Sequence, residues 1–334
     1  MRQAMLYEKQ KEGKVHCFLC AHHCGLEPGQ WGRCQVRENR EGDLYTHAWG
    51  EVIAANVDVI EKKPLYHFLP GSRSFSIATA GCNFKCSFCQ NWQISQIQAG
   101  RDDSRRHLKL EPAEIVRRAR QSNCRSISYT YTEPTIFFEY AYDTAQIAGA
   151  EGLANVFVSN GFMTEQALDT IAPWLDAINV DLKSFQKEFY KDICQGRLTP
   201  VLDTIRRLKE RNIWTEVTTL IVPGQNDSEE ELGEMASFLA SVDPEMPWHL
   251  SRFHPDYQYD GVEPTPLSTL ERAWSLAKEN GLQYVYLGNI PSGSKDTLCP
   301  ACEQVVISRG GFEIKNMLQD GACPDCGQKI KGVF

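Results

Sequence analysis

The sequence lacks long apolar runs and a surplus of positive charge. Its longest apolar runs, such as residues 153–158, have the length of a strand, whereas a membrane-spanning helix needs about 20 apolar residues. The N-terminus, MRQAMLYEKQKEGK, has no apolar core of the kind found in signal peptides. The formal net charge of −8 argues against broad electrostatic binding of nucleic acid. These absences predict a globular cytoplasmic protein that does not contact membranes and for which nucleic acid is a disfavoured partner.

Local positive charge is confined to one region of the chain. Arginines recur between Arg101 and Arg106 and again at Arg117, Arg118 and Arg120. Such a patch could contact nucleic acid, but the same pattern is typical of solvated helix and loop surface. We therefore interpret the region as surface.

Two nucleotide-binding signatures are also missing. No G-x-G-x-x-G follows a strand near the start and no G-x4-G-K-[ST] occurs, so neither a dinucleotide fold nor a P-loop is indicated. Strand-type and helix-type segments alternate instead. The strand-type segments are Phe75–Ala78, Ser126–Tyr131, Asn155–Ser159, Ala177–Leu182, Thr215–Val222, His249–Phe253 and Tyr284–Leu287. The helix-type segments are Glu111–Gln121, Pro134–Ala148, Thr164–Ile171, Pro200–Arg211, Ser228–Ser241 and Leu267–Asn280.

This alternation predicts an α/β fold in which helices connect parallel strands. A partial (β/α)6-type TIM barrel is favoured, with chemistry at the carboxyl ends of its strands. With 334 residues, 42% of them hydrophobic, the chain can bury a large core. We expect a Cys-rich N-terminal segment over residues 1–70, the barrel over residues 71–294, and a zinc-ribbon-like or rubredoxin-like segment over residues 295–334.

Thirteen cysteines is a high count. Without a secretion signal it favours metal binding over disulfides, because cytosolic thiols stay reduced. Cys124 and Cys194 stand alone in the sequence and are interpreted as buried packing residues. The other cysteines fall into three clusters. These are Cys17, Cys20, Cys24 and Cys34; Cys82, Cys86 and Cys89; and Cys299, Cys302, Cys323 and Cys326.

The middle cluster has one cysteine fewer than a closed metal site. In GCNFKCSFCQNW, residues 81–92, three cysteines have the spacing C-x3-C-x2-C and directly follow the first predicted strand. Structural zinc and ordinary iron-sulfur clusters take four protein ligands. The spacing therefore indicates a site left open for another ligand. Three buried thiols, or a zinc site completed by a distant residue, are the alternatives.

With Phe88 before the last cysteine, this loop resembles the signature of the radical S-adenosylmethionine (SAM) superfamily. The resemblance implies that three thiolates hold a 4Fe-4S cluster whose fourth iron binds the amino and carboxylate groups of SAM. It implies an enzyme in which the cluster reductively cleaves SAM to a 5'-deoxyadenosyl radical that abstracts hydrogen from a substrate. The implied electron donor is a protein such as flavodoxin or ferredoxin.

Polar residues follow the second and third predicted strands. Glu133, in YTEPT, stands where the superfamily has a GGEP-like segment that contacts the amino group of SAM, although Tyr131 and Thr132 replace the usual glycines. A carboxylate facing a helix N-terminus is the alternative for Glu133. Ser159 and Asn160 form a turn with the following glycine, and we expect both side chains to face the barrel mouth.

Charged residues follow the fourth strand. Asn179, Asp181 and Lys183 alternate in INVDLKSF, so they point to one side, and buried charges are costly without partners. The DLK segment resembles pyruvate formate-lyase activating enzyme, which implies that Asp181 helps to hold a monovalent cation near SAM and that Lys183 meets the carboxylate of SAM. The same resemblance places His254 near the nucleoside; a structural hydrogen-bonding histidine is the alternative.

A more specific resemblance extends over nearly the full chain. The segments CFLCAHHC, GRCQVREN, IEKKPLYHFLPGS, ATAGCNFKCSFCQNWQIS, YTEPT, INVDLKSF and LGNIPSG, in this order, are similar to the radical SAM component of the AmmeMemoRadiSam system. This resemblance implies AMMECR1-like and Memo-like partners. Lys62, Lys63, Tyr66 and His67, in the third of these segments, are interpreted as a surface loop that could line the barrel mouth.

The two outer cysteine clusters predict separate metal sites. The C-terminal pairs CPAC and CPDCG are separated by 20 residues and flank a predicted hairpin over Val305–Ser308 and Phe312–Lys315, which suits a zinc ribbon or a rubredoxin-type iron site. Zinc is preferred there because a structural role needs no redox activity. The N-terminal set suits zinc, with His22 or His23 able to replace a cysteine, or an auxiliary iron-sulfur cluster. A hairpin-like pattern over Asn39–Asp43 favours zinc slightly.

Three functions follow from these observations. The leading one is a radical SAM enzyme that abstracts hydrogen, with a glycyl residue of a protein partner, a peptide or a small molecule as substrate. An RNA-modifying radical SAM enzyme is the second, which the acidic net charge disfavours. The third is a non-catalytic zinc scaffold, which leaves Asp181 and Lys183 without a role.

Overall fold

The computed structural model describes residues 1–97, 107–290, 295–310 and 313–334. The predicted basic stretch Arg101–Arg106, the end of the predicted barrel at residues 291–294, and residues 311–312 of the predicted C-terminal hairpin lie outside the described residues. Arg117 and Arg118 both pair with Glu114, and Arg120 pairs with Glu151. These three arginines have the contacts expected of a helix surface.

Residues 2–46 form two small antiparallel sheets. Their strands are β1 (Arg2–Gln3), β2 (Tyr7–Lys9), β3 (Val15–Cys17), β4 (Cys24–Leu26), β5 (Arg37–Arg40) and β6 (Asp43–Thr46). One sheet has the order β1-β6-β5 and the other has the order β2-β3-β4. The hairpin predicted around Asn39–Asp43 is confirmed, because Arg40 pairs with Asp43 across the β5–β6 turn.

The central sheet of the described residues has nine strands. They are β7 (Glu51–Val59), β8 (Arg73–Thr79), β9 (Leu108–Lys109), β10 (Ser126–Tyr129), β11 (Ala154–Ser159), β12 (Ala177–Asp181), β13 (Trp214–Ile221), β14 (Trp248–Arg252) and β15 (Val285–Gly288). From β8 through β10 to β15 the strands are parallel and adjacent in chain order, while β7 and β9 extend the sheet antiparallel beyond β8. The carboxyl ends of the parallel strands therefore lie at one edge of the sheet, where the predicted site residues meet.

Helices connect the parallel strands. They are α1 (Trp92–Ser95), α2 (Pro112–Gln121), α3 (Phe138–Ala150), α4 (Glu165–Ile171), α5 (Leu198–Glu210), α6 (Glu229–Val242) and α7 (Leu267–Glu279). The side chains of Thr164 and Ser228 accept hydrogen bonds from the backbone N–H groups of Ala167 and Glu231, so both are N-caps as their positions indicate. Within the described ranges, no helix is both long enough and apolar enough to cross a membrane.

The predicted parallel α/β fold is confirmed. Each of the seven strand segments and six helix segments read from the sequence overlaps an observed element. The long strand β7 was not predicted, because its sequence EVIAANVDV places only Val52 in the buried interior and has no regular alternation. This strand belongs to the central sheet although it lies within residues 1–70.

The C-terminal segment packs onto the central domain. Its described strands are β16 (Thr297–Leu298), β17 (Val305–Ser308) and β18 (Lys315–Asn316), and β17 pairs antiparallel with both neighbours. The second hairpin strand thus lies at Lys315–Asn316. Val306 and Ile307 pack in one cluster with Tyr66, Tyr284 and Tyr286 of the rest of the chain.

Candidate functional site

A cavity of ≈ 320 Å³ opens at the carboxyl ends of the parallel strands. It is the point at which residues from β8 to β14 and from the loops that follow them converge. Its polar and cysteine lining includes Lys62, Lys63, Cys82, Cys86, Cys89, Gln90, Asn91, Ser95, Gln96, Thr130, Tyr131, Thr132, Glu133, Asn160, Asn179, Asp181, Lys183, Thr218 and Ser251. Most of the predicted site residues therefore share one cavity.

The three cysteines of the middle cluster lie together on the loop after β8 and line this cavity. Two hydrogen bonds fix the loop, since the N–H groups of Lys85 and Ser87 donate to the carbonyl oxygens of Cys194 and Ile193 at 3.0 and 3.2 Å. Burial raises the pKa of the Cys82 thiol well above its ordinary value. Without a metal these thiols are therefore protonated, and a metal would have to displace their protons.

Cys194 is a neighbour of this loop that the sequence did not reveal. A hydrogen bond with Cys194, and then burial, raises the pKa of Cys86 well above its ordinary value. Cys194 is fully buried and is not part of the cavity lining. The prediction that it is a buried packing residue is confirmed, but its packing partner is a cysteine of the middle cluster. More than one hundred residues separate the two in the sequence, so no spacing signal could have linked them.

Glu133 is buried at the cavity wall and is held by four donors. One carboxylate oxygen accepts from the Thr135 N–H, the Thr135 hydroxyl and the Ser159 hydroxyl at 3.0, 2.6 and 2.8 Å. The other accepts from the Asn160 N–H at 2.8 Å. Glu133 caps the N-terminus of the short 3-10 helix Pro134–Phe137, which was the alternative to SAM binding predicted from the sequence. It also lines the cavity. Ser159 faces Glu133 and is not part of the lining.

Tyr131 explains how YTEPT departs from a glycine-containing segment. Its φ of +63° lies in the left-handed region, which glycine occupies without steric cost. Tyr131 adopts the same backbone conformation and donates its hydroxyl hydrogen bond to Asp58. Tyr131 therefore holds a backbone conformation that favours glycine, and it lines the cavity.

Asp58 and Lys63 form an ion pair beside this tyrosine. Lys63 Nζ lies 2.7 Å from Asp58 Oδ2 and 4.5 Å from the centre of the Tyr131 ring. Although burial opposes the charge, hydrogen bonds from Lys63 and Tyr131 hold the pKa of Asp58 well below its usual range. The surface-loop interpretation is wrong for Lys63, Tyr66 and His67, which are 2%, 7% and 0% exposed. The apolar residues of this loop pack into the interior of the protein. The polar residues between them are buried as a result.

Asp181 and Lys183 form a second ion pair at the end of β12. Lys183 Nζ lies 2.9 Å from Asp181 Oδ2, and both residues line the cavity. Burial opposes the lysine charge, but the carboxylate of Asp181 raises the pKa of Lys183 well above its ordinary value. The prediction that Asn179, Asp181 and Lys183 point to one side is confirmed, because all three line the cavity.

Two buried polar atoms of the cavity lining have no hydrogen-bond partner among the described residues. They are Asn179 Oδ1 and Thr218 Oγ1. Buried polar groups are nearly always paired, so unpaired ones in a cavity indicate a polar ligand. Thr218 was not singled out from the sequence, because a threonine in a β-rich run is ordinary strand composition.

Two predicted residues, Ser159 and His254, are not part of the cavity lining. His254 is exposed and lies 3.1 Å from the side-chain nitrogen of Gln90, which lines the cavity. Asn160 lines the cavity and donates from Nδ2 to Asn83 Oδ1 at 2.7 Å and to Cys82 Sγ at 3.9 Å. The role predicted for His254 at the nucleoside stays a prediction.

The two outer cysteine clusters differ in geometry. In the C-terminal cluster all four sulfur atoms lie within 4.8 Å of one another, with 3.5 Å between Cys299 and Cys326 and 3.6 Å between Cys302 and Cys323. The N-terminal cysteines line a small cavity instead. His22, predicted as an alternative ligand, places Nε2 2.8 Å from the carbonyl oxygen of Asn83, and burial lowers the pKa of His22 to about 4. The neutral ring donates this hydrogen bond, so Nε2 is not available to a metal.

Comparison with known proteins places the site in a family. The model of the radical SAM superfamily matches residues 76–239, which span the three cavity cysteines, Glu133, Asp181 and Lys183. An uncharacterized protein of Methanocaldococcus jannaschii, MJ0808, is 44% identical over 100% of both chains. A second protein of that organism, named "Putative glycyl-radical enzyme activating enzyme MJ1632", is 26% identical and covers 54% of this chain and 68% of its own.

A solved structure supports the fold. A radical SAM methyltransferase from Sphaerobacter thermophilus has 17% sequence identity, and the match covers 66% of this chain and 67% of the methyltransferase with a TM-score of 0.53. At this identity the likeness concerns the fold alone. The superfamily match, however, lies on the strands and loops that build the cavity, and residues 76–239 therefore form a domain of the radical SAM superfamily.

Proposed function

We propose that this chain is an enzyme that holds a 4Fe-4S cluster on Cys82, Cys86 and Cys89, binds SAM in the adjoining cavity and removes hydrogen from a substrate. The observation that carries the proposal is a cavity in which three cysteines face an ion pair and unpaired polar atoms. Among the described residues that line this cavity, no fourth cysteine is present. A cluster bound here would keep one iron for a further ligand.

The residues present fit both groups. Three thiols are suited to iron, and Lys183 offers an ammonium group to a carboxylate. Glu133 Oε2 accepts a hydrogen bond from the Asn160 N–H at 2.8 Å, which leaves acceptor capacity for an ammonium group. Asn179 Oδ1 and Thr218 Oγ1 have no partner among the described residues. The SAM zwitterion supplies the complementary charges.

Each residue has a separate task in this proposal. Lys183 binds and orients the carboxylate, and Glu133, fixed by its four donors, binds the amino group. Asp181 sets the position of Lys183 through their ion pair, and its carboxylate, 37% exposed, is available to a monovalent cation. The rings of Phe84 and Phe88, also in the lining, limit access of water to the three thiols.

The cofactors supply the chemistry that side chains cannot. When bound on Cys82, Cys86 and Cys89, a 4Fe-4S cluster would supply one electron for the cleavage of SAM to methionine and a 5'-deoxyadenosyl radical, and this radical would abstract hydrogen from the substrate. The protein residues hold the reacting groups in register and keep other reactants out.

We further propose a protein substrate, in the manner of enzymes that activate glycyl-radical proteins. The name of the relative MJ1632 supports this choice. The predicted assignment to the AmmeMemoRadiSam system adds AMMECR1-like and Memo-like proteins as candidate partners, and a flavodoxin or ferredoxin as electron donor. If an AMMECR1-like or Memo-like protein is the substrate, adding it should raise the rate of 5'-deoxyadenosine formation. A carbon-centred radical on that protein should then be detected by electron paramagnetic resonance (EPR). An unchanged rate with each partner would contradict this assignment.

We also propose that the C-terminal cluster binds zinc. A Zn–S distance near 2.3 Å in a tetrahedron separates the sulfur atoms by about 3.8 Å, and the observed separations are 3.5 and 3.6 Å. The short C-terminal segment buries little apolar surface by itself. Metal binding would therefore supply part of its folding free energy.

The central proposal is tested by 5'-deoxyadenosine formation. Protein reconstituted anaerobically with iron and sulfide is given SAM and a strong reductant. Wild type should form the product, and Cys86→Ala should fall to background. Cys124→Ala is the matched control, because Cys124 and Cys86 are 6% and 7% exposed but only Cys86 lines the cavity.

Two results would contradict the proposal. The first is equal product formation by Cys86→Ala. The second is no product from wild-type protein that carries iron and sulfide and binds SAM. The second result would revive the non-catalytic scaffold as an explanation of the metal sites.

A further inference from the structure

The cavity lined by Cys17, Cys20, Cys24 and Cys34 is a second cysteine-rich site that the proposed function does not use. The β3–β4 hairpin places Cys17 directly opposite Cys24. Cys20 lies in the turn of this hairpin, and Cys34 lies on the segment that follows it. Leu19, Leu26 and Ile136 complete the apolar part of the lining. Four thiols thus line one small cavity.

A buried arginine also lines this space. Arg37 is 1% exposed, and its Nη1 donates to Cys17 Sγ at 3.5 Å and to the carbonyl oxygen of Met5 at 2.9 Å. Its Nη2 pairs with the buried Glu139. Its Nε has no hydrogen-bond partner among the described residues. Although Glu139 pairs with its charge, Arg37 places a positive group directly against the Cys17 sulfur, where it would stabilise a thiolate or another anionic group in the cavity.

The spacing of the thiols argues against zinc. A single zinc ion needs sulfur atoms about 3.8 Å apart. Among the described residues, the C-terminal cluster is the only set of three or more potential ligands gathered within 4.8 Å. The N-terminal cysteines are therefore more widely spread than a zinc site requires. Cys82, Cys86 and Cys89 are spread in the same way.

We propose that Cys17, Cys20, Cys24 and Cys34 hold a second iron-sulfur cluster, with Arg37 compensating part of its negative charge. Thiolates that bind different irons of one cluster stand further apart than four thiolates on one ion, which fits the spread of these sulfur atoms. The inference does not depend on SAM cleavage, since it concerns metal and sulfide content. It also reverses the slight preference for zinc drawn from the sequence, because sequence spacing does not show how far apart the thiols lie.

The N-terminal cysteine site lies directly beside the loop that carries Cys82, Cys86 and Cys89. Gly81, with φ +99°, precedes Cys82, and a Cβ atom at Gly81 would lie 2.9 Å from the carbonyl oxygen of Cys34. His22 donates to the carbonyl oxygen of Asn83 at 2.8 Å. The two cysteine loops are therefore in direct contact. Two reduced clusters held on them should interact magnetically.

The test compares metal content in matched variants. After anaerobic reconstitution, iron, acid-labile sulfide and zinc are measured per chain in wild type, in Cys82→Ala/Cys86→Ala/Cys89→Ala, in Cys20→Ser/Cys24→Ser and in the combined variant. The triple variant should retain iron and sulfide, and the combined variant should lose both. The half-buried Cys20 and Cys24 are chosen over the buried Cys17 and Cys34 so that the fold is disturbed least.

Spectroscopy provides a second readout. The EPR spectrum of reduced wild type should be broadened by coupling and should simplify in either cluster variant, while Cys124→Ser should match wild type. The proposal is overturned if the triple variant holds no sulfide, whether its N-terminal site then contains zinc or no metal. It is equally overturned if wild type contains two zinc ions per chain, a result that does not depend on any variant folding.

Discussion

Lys183 places a half-buried positive charge at the cavity, and its substitution is therefore the most direct test of SAM binding. Its side chain is 15% exposed, and in the described structure its ion-pair partner is Asp181. Lys183→Met keeps much of the side-chain volume but removes the charge. A hydrogen bond to a charged group contributes about 1.5–3 kcal/mol, so the Kd for SAM should rise about 10-fold to 150-fold.

Equilibrium dialysis or calorimetry on the cluster-loaded protein measures this effect. Lys209→Met is the control, because Lys209 pairs with Asp243 on the surface of α5 and should leave the Kd unchanged. If both variants bind SAM as wild type does, Lys183 does not meet the carboxylate.

At the residue scale, the sequence predicts contacts that lie within one short motif. The cysteine spacing and the alternation of Asn179, Asp181 and Lys183 are local patterns, and all of these residues line the cavity. Cys194 and the Asp58–Tyr131 contact are invisible in the sequence, because they depend on how distant segments pack. Tertiary packing joins these pairs, and no local spacing encodes it.

At the level of elements, a short π-helix supports the cysteine loop. It spans Phe189–Ile193, and the carbonyl oxygens of Ile193 and of the following Cys194 accept the hydrogen bonds that hold the loop after β8. Such π-helical turns are frequent at functional sites. Gly196 follows it, and a Cβ atom there would lie 2.4 Å from Cε1 of Phe84, which stands between the first two cavity cysteines.

Gly196→Ala should therefore displace Phe84 and loosen the cysteine loop. We expect a loss of about 1–3 kcal/mol in the free energy of unfolding from overpacking, and a lower iron content after reconstitution. Thermal unfolding and iron analysis measure both quantities. Gly233→Ala is the control, because nothing lies within 4 Å of a Cβ at this position in α6, and helical alanine should add about 0.5–1 kcal/mol. Equal iron content in the two variants would show that the close approach of Gly196 is not needed.

The elements themselves were largely predictable because most of them are buried on a regular pattern. Buried parallel strands are continuous apolar runs, and amphipathic helices between them carry clear caps such as Thr164 and Ser228. Strand β7 was not predicted from the sequence, because it lies toward the edge of the sheet and most of its residues are partly or fully exposed. An irregular, half-exposed strand has no periodic signal to detect.

At the scale of the whole molecule, residues 64–69 join the N-terminal, central and C-terminal parts. The backbone N–H groups of Tyr66 and His67 donate to the buried Glu216 of β13 at 2.9 and 2.8 Å. The carbonyl oxygen of His67 accepts from the N–H of Val333 at 2.8 Å. This segment therefore couples the stability of the C-terminal segment to that of the central sheet.

His67 is the titratable group at this junction. Its Nδ1 lies 2.7 Å from the carbonyl oxygen of Lys331, so Nδ1 carries the proton, and Nε2 faces the Tyr286 hydroxyl. Burial lowers the pKa of His67 to about 4, from an ordinary value of about 6.5. Glu216 opposes this shift, while Arg309 and His249 add to it. The folded chain therefore keeps the ring neutral.

The consequence is a loss of stability in acid. Between about pH 6.5 and pH 4 the unfolded chain binds a proton that the folded chain excludes, so the free energy of unfolding falls as the pH falls. Above about pH 6.5 this group contributes no pH dependence. Between pH 7 and pH 5 its share is about 2 kcal/mol, at 1.36 kcal/mol per pH unit. His67→Gln removes the titrating ring, so its loss of stability over this range should be smaller than that of wild type by about this amount.

Urea denaturation of both proteins at pH 7 and pH 5, in one zinc-containing buffer, isolates the contribution of His67. Acid release of metal from the cysteines and titration of other groups, such as the buried His22, affect both proteins alike and cancel in the difference. An equal loss of stability in wild type and variant would mean that the ring is protonated without cost at pH 5, and that the junction between the central and C-terminal parts does not depend on a neutral His67.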